Sequence, residues 1–295
     1  MVKTESTAYM VSSKEQYELA EQAMRLKAVA GLGRESPIGN SFSDILECHK
    51  IILLEYPIKR AGGNSFSAMF MRSKSDSDNF SFIGVNTSDY YDKQLFAIAH
   101  ELYHFSVHDE PHISRDGDAS DPEEIKAEYF AAEFLLPLDV LQRAIIKEFG
   151  TIEISALPKS ALLRFIARLQ CTWWLPYKAI VNRLLETRAI TSVVFDGLYA
   201  VDERTPTEQY YRVGLSTNAH YFTLLNTITN KVGTSASNLE NALRNYEDDI
   251  ISEDELIRGL RLFDVEAEDF GIEFVPDISD EEWDAFCIGG VSDEG

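Results

Sequence analysis

His100-Glu101-Leu102-Tyr103-His104, inside the run 94–108 (QLFAIAHELYHFSVH), constrains this chain more than any other stretch. Leu95, Phe96, Ile98, Ala99, Leu102, Phe105 and Val107 make the run strongly apolar, and it holds neither Gly nor Pro. That pattern predicts a buried helix. Histidines four apart on a helix project from one face, close enough to share one ion. Two imidazoles and a carboxylate on a buried element cost free energy unless they are paired or coordinated. In one reading His100 and His104 are core histidines hydrogen-bonded to backbone. In the other they hold a metal, and Glu101 orients a water on it and takes its proton. The pair with Glu101 beside the first histidine favours the metal, and Glu101 favours catalysis on it, because a structural site needs no base there.

His108 and His112 extend the four-residue ladder, but geometry limits what they can do. Residues eight apart on a straight helix are separated by about 12 Å along the axis, so His100 and His108 cannot both ligate the ion that His104 binds. The spacing also misses the three-histidine pattern of the metzincins. His108 is expected near the metal without ligating it, or at the helix end, and His112 in a loop. A third ligand must come from elsewhere. Asp121-Pro122 reads as a helix start with Pro at its first position. The segment 123–137 (EEIKAEYFAAEFLLP) carries Ala127, Phe130, Ala131, Phe134 and Leu135 at helical spacing. Packed antiparallel to the first helix, it could deliver Glu124, with Glu128 one turn on as the rival. Acidity that suits the helix dipole explains a first-turn Glu124 equally well.

The order of these pieces resembles the ImmA/IrrE metallopeptidases. It runs from the strand end Val85-Asn86, through Phe96-x-x-Ala-His-Glu-x-x-His with His108 four residues on, to Glu124-x-x-Ala-x-x-Phe-Ala-Ala-Glu-x-Leu-Leu-Pro ending at Pro137. Gln94 is similar to the polar residue that the family places before the Phe. A weaker resemblance continues through AIVNRLLETRAI from Ala179, so that it covers about residues 10–190. The resemblance implies that the residues matching His100, His104 and Glu124 bind zinc and that the one matching Glu101 is the catalytic base. It implies a gluzincin-like endopeptidase that cuts a helix-turn-helix repressor in a stress-response or mobile-element switch. Two positions depart from the family pattern. Tyr103 stands where a small residue is usual, and Glu128 where Asn or Asp is common. Both are candidates for supporting the metal ligands rather than joining them. Imidazole and carboxylate donors also accept manganese or another divalent ion. The alternative class is a zinc-containing binding protein without catalysis, an antirepressor or toxin–antitoxin partner. A repressor cut in a zinc-dependent, Glu101-dependent way separates the two.

The chain as a whole predicts an α+β fold. A small mixed or antiparallel sheet packs on the active-site helix and a helical bundle, and an acidic C-terminal α/β region follows. Expected elements are a helix over 13–29, a short helix over 42–50 and strands over 51–56, 65–72 and 79–86. A hairpin loop is expected over 73–78, and helices follow near 138–149, 158–170 and 175–188. An edge strand beside the cleft could pair with an extended peptide. Further on, the residues predict strands over 191–200 and 209–215, then helices near 219–231, 237–247 and 253–263. Ser252 and Glu255 have the capping-box spacing. Two domains are expected: a peptidase domain over 1–190, with a helix-turn-helix-like part at about 138–190, and an acidic domain over 191–295.

Charge is uneven. The chain carries −22, of which residues 191–295, with 23 acidic and 6 basic side chains, hold −17. After Arg261 there are 12 acidic residues and no basic one. A solvated acidic surface that aids solubility is the plain reading. The sharper one is that this region, with its acidic tail over 279–295, mimics DNA phosphate and attracts a repressor's basic face. The overall charge opposes direct DNA binding through Arg164, Arg168, Lys178, Arg183 and Arg188. No apolar run reaches the length of a membrane span, and the N-terminus lacks a signal core. Cys48, Cys171 and Cys287 are odd in number and widely spaced. Reduced thiols in a cytoplasmic protein are therefore expected.

Overall fold

The computed structural model describes residues 9–59, 66–74, 79–107, 112–115 and 121–274. They form an α+β structure in two compact units, 1–237 and 238–295.

In the first unit, α1 (Ser13–Val29) opens with a capping box in which Ser12 and Glu15 satisfy each other's backbone N–H. The short α2 (Phe42–Cys48) leads into β1 (Ile51–Tyr56), followed by β2 (Phe66–Lys74) and β3 (Asn79–Asn86). The metal-motif helix α3 (Tyr91–Val107) comes next, then β4 (His112–Arg115) and α4 (Pro122–Leu135). α5 (Leu138–Phe149), α6 (Lys159–Trp173) and α7 (Tyr177–Glu186) fill the positions expected for the helical bundle. The sheet is mixed, with order β4-β2-β3-β1-β5, where β5 (Gly233–Thr234) is a two-residue strand. β1 and β3 pair in parallel and the other neighbours are antiparallel. Ser81, Ile83 and Val85 alternate onto the buried face of β3, which packs on α3.

Four expectations change. His112 lies in β4, the strand at one end of the sheet, rather than in a loop. The stretch 191–200 forms helix α8 (Ser192–Tyr199), not a strand. Thr191 caps it, Leu198 buries against the core, and Phe195 stacks on Tyr199 one turn later at 5.2 Å between ring centres. The stretch 209–215 begins α9 (Gln209–Leu225), which breaks at Asn218. The break lets Phe222 fold back over Gly214, where a Cβ would meet the Phe222 ring at 2.0 Å, so only glycine fits. Both segments are rich in β-branched and aromatic residues; the Thr191 cap and buried Leu198 in the first, and buried Tyr210 and Gly214 in the second, override that preference. Finally, Leu198, Tyr210, Phe222 and Leu225 join the same core as α3 and α4, so the first unit continues beyond residue 190 to Ser237.

The second unit contains α10 (Ala236–Glu247, which begins just before it) and α11 (Glu253–Arg261), then a 3-10 turn over Ala267–Phe270. Leu256, Leu260 and Ala267 form its small core. Ser252 and Glu255 make the expected capping box. The described residues 191–274 are thus helical apart from β5, where an α/β region was expected. No described helix is long and apolar enough to cross a membrane. The loop over 75–78, His108 and the tail over 279–295 lie outside the described residues.

Candidate metal centre

The approach to α3 is fixed by two amides. Asn86 ends β3, and its Oδ1 accepts from the Ile58 N–H at 2.8 Å and the Ser88 N–H at 3.0 Å. Its Nδ2 donates to the carbonyls of Ile58 and Phe66 at 3.0 and 2.9 Å. Gln94 sits in the first turn of α3 and is buried. Its Nε2 donates to the Asp89 carbonyl at 2.8 Å and to Thr229 Oγ1 at 3.0 Å. These contacts tie the strand end, the turn and the later segment around residue 229 to the start of the motif helix.

Asp92, one position after Tyr91, is fully buried. Arg204 Nη2 donates to both of its oxygens at 2.9 Å, and Gln170 Nε2 donates to Oδ2 at 2.9 Å. Tyr210 Oη donates onward to Gln170 Oε1 at 2.7 Å, and the Arg204 guanidinium lies 4.3 Å from the centre of the Tyr90 ring. Burial pushes the Asp92 carboxyl above its ordinary value, while Arg204 opposes the shift.

From this base α3 presents His100, Glu101 and His104, all buried. α4 starts as its sequence predicts, with Asp121 accepting from the Glu123 N–H at 3.0 Å and Pro122 in the first turn. It brings Glu124 against the histidines. His100 Nε2 stands 3.1 Å from Glu124 Oε2, His104 Nε2 stands 3.5 Å from Glu124 Oε1, and the two Nε2 atoms are 3.3 Å apart. The three candidate donors lie within 4.8 Å of one another. Two imidazoles and one carboxylate in this arrangement suit a divalent ion of the zinc type, leaving a coordination position open. Glu101 is fully buried between the two histidines in sequence.

Residues 56–185 match the model of the Peptidase_M78 family, described as the IrrE N-terminal-like domain. Over that segment the chain is similar to this peptidase family. Comparison with curated proteins and with solved structures gave no match. The IrrE-like segment contains β2 to α6 with the whole candidate metal centre, whereas α1, Arg204 and Tyr210 lie outside it.

The other candidate residues are placed around that centre. Tyr103 turns away from the donors, and its hydroxyl donates to Glu123 Oε2 at 2.7 Å. Burial, reinforced by that carboxylate, holds the phenol well above its ordinary value, so it remains a donor. Its ring packs edge-on against His104, at 5.3 Å between centres, and so supports that imidazole by contact. Glu128 is not among the three converging donors but lines a cleft one turn along α4. Its carboxyl is raised above the ordinary value by desolvation; His100 opposes this, and Glu124 and Glu186 add to it.

Sequence reasoning missed the buried ion pair that anchors the far end of α4. Glu133 receives Arg34 Nη2 at 2.9 Å on one oxygen, and Arg183 Nη2 at 2.5 Å and the Leu138 N–H at 3.0 Å on the other. Arg183 is fully buried, so this cation of the helix-turn-helix-like segment belongs to the core and offers nothing to DNA. The only signal was Glu133 within the family string, with no role attached.

Proposed function

We propose that the IrrE-like domain is a zinc-dependent endopeptidase that cuts a helix-turn-helix repressor or antitoxin and so releases a stress-response or mobile-element switch. One observation carries the catalytic part of this reading: His100, His104 and Glu124 converge as buried donors, with the Glu101 carboxylate beside them on the same helix. Three donors would be enough for a structural or catalytic ion, and the added carboxylate is what hydrolysis needs. Zinc held there would polarise the scissile carbonyl and acidify a water, and manganese could replace it. Glu101 takes the proton from the attacking water on a carboxylate oxygen and returns it to the leaving amine.

The substrate part rests on the family resemblance and on charge. The strongly acidic stretch after residue 190 would draw the basic DNA-binding face of a repressor, so binding should weaken with salt and on deletion of 262–295. Cys48 and Cys171 are free thiols, which fits work in a reducing cytoplasm.

The test is to incubate the zinc-loaded protein, and its Glu101→Gln variant, with the helix-turn-helix protein encoded beside its gene. Expected is a discrete cut that chelation abolishes and that Glu101→Gln slows by roughly 100- to 10,000-fold. A stable, uncut complex formed equally by both proteins would instead make the domain a non-catalytic binder.

A further inference from the structure

A cavity of about 250 Å³ opens beside the candidate metal centre. Its apolar walls come from Phe96, one turn before His100, from Ile125, next to Glu124, and from Ala132 and Ala179. Glu128 and Glu186 supply the carboxylates on its lining. The volume lies below the range of roughly 300–1,000 Å³ typical of sites for whole small molecules. It suits one long side chain.

The two carboxylates are not equivalent. Glu186 accepts from Arg183 Nη1 at 2.9 Å, so it already has a cation beside it, one that it shares with Glu133. Among the described residues no lysine or arginine pairs with Glu128; the charged groups that act on it are His100, which favours its ionised form, and the carboxylates of Glu124 and Glu186, which oppose it. An anionic group on an apolar-walled cleft asks for a cation whose stem is apolar. Lysine and arginine have that form, since their methylenes lie along hydrophobic surface while the tip makes a charge-assisted hydrogen bond.

We propose that this cleft receives a lysine or arginine side chain of the substrate, at a position flanking the scissile bond, with Glu128 as its counter-ion. The assignment rests on the peptidase reading and adds to it the preferred residue class.

Two measurements on the full-length, zinc-loaded protein test it. The first is calorimetric binding of lysine, leucine and glutamate hydroxamates, which reports the cleft without any turnover. Lysine hydroxamate is expected to bind about 5- to 10-fold more tightly than the leucine compound, as one partly desolvated ion pair provides. Glu128→Gln should erase that ratio, and Glu128→Lys should shift preference to the glutamate compound, with zinc content and circular dichroism unchanged. The second is cut-site profiling of a peptide library, where Lys and Arg should dominate one fixed position beside the cut. Equal binding of the lysine and leucine compounds, or a lysine preference that survives Glu128→Gln, overturns the proposal. Cutting without a basic preference leaves the peptidase reading standing and removes this one. A Glu128-dependent lysine preference in a protein that cuts nothing does the reverse, keeping the cleft and removing the peptidase.

Discussion

Replacing Arg204 with Met tests whether the segment beyond the IrrE-like match holds the metal-motif helix in place. Arg204 donates to both oxygens of fully buried Asp92 at 2.9 Å, and after its loss Asp92 keeps the Gln170 donor at 2.9 Å. Removing one member of a buried ion pair costs about 3–5 kcal/mol. The retained Gln170 bond places this case near the lower end, and the lost contact between guanidinium and Tyr90 ring adds about 0.5–1 kcal/mol. The expected loss is therefore about 4 kcal/mol, or roughly 8–16 °C in Tm for a unit of this size.

The pH dependence gives the sharper check. The folded Asp92 carboxyl already lies above its unfolded value because of burial. The folded state thus binds the proton more tightly, so stability from this group is fullest below the unfolded value and declines as pH rises through the folded one. Arg204→Met moves the folded value further up. Its deficit should consequently shrink as pH is lowered from neutral toward the ordinary carboxylate range, in thermal melts followed by circular dichroism. Adding Asp92→Asn removes the stranded charge and should recover most of the loss at neutral pH. A deficit independent of pH and untouched by Asp92→Asn would show that Arg204 acts through packing alone.

Three further outcomes are expected. Alanine at His100, His104 or Glu124 should each weaken zinc binding by about 100-fold or more, exceeding the effect of removing a supporting group, while far-ultraviolet circular dichroism stays close to the parent. Arg183→Met should destabilise the first unit by about 3 kcal/mol, because Glu133 retains Arg34, and Glu133→Gln added to it should offset part of the loss in a double-mutant cycle by urea unfolding. A chain ending at residue 190 loses Leu198, Tyr210, Phe222 and Leu225 from the core along with Arg204. It should bind a hydrophobic dye and lose its cooperative transition; a sharp melt near the full-length value would refute this dependence.

The candidate metal centre was legible because its signal is local. Histidines four apart, a carboxylate between them and an apolar run need only helix geometry to become one face, and Asp121-Pro122 marks the start of α4 just as directly. The choice between Glu124 and Glu128 was not legible from spacing, since both sit one turn apart on the same helix and packing alone selects Glu124. Strand β3 follows period-two alternation and β1 is a short run of β-branched and aliphatic residues, while α8 and the first half of α9 were misread because their Val, Phe and Tyr residues favour strands in isolation. In α8 the Thr191 cap and the single buried residue Leu198 settle the helix, and in α9 burial of Tyr210 and Phe222 does so. Asp92, Arg204 and Gln170 illustrate the same limit: 112 residues separate the ion pair, and nothing near either residue announces the other.

That distribution has a physical consequence for how the site is held. α3 and α4 each carry buried charge at two levels: the donors that face the centre, and a structural carboxylate, Asp92 or Glu133, that faces away into an arginine. Asp92 lies two turns before His100, and Glu133 lies two and a half turns after Glu124, so each helix is anchored away from its donors. A structural carboxylate satisfied by arginine fixes helix position without competing for the metal, because arginine keeps its charge at any working pH. The cations come from α1's following loop, from α7 and from the segment before α9, three parts of the chain that otherwise share no motif. Helix placement at the centre therefore depends on residues both before and after the matched segment 56–185.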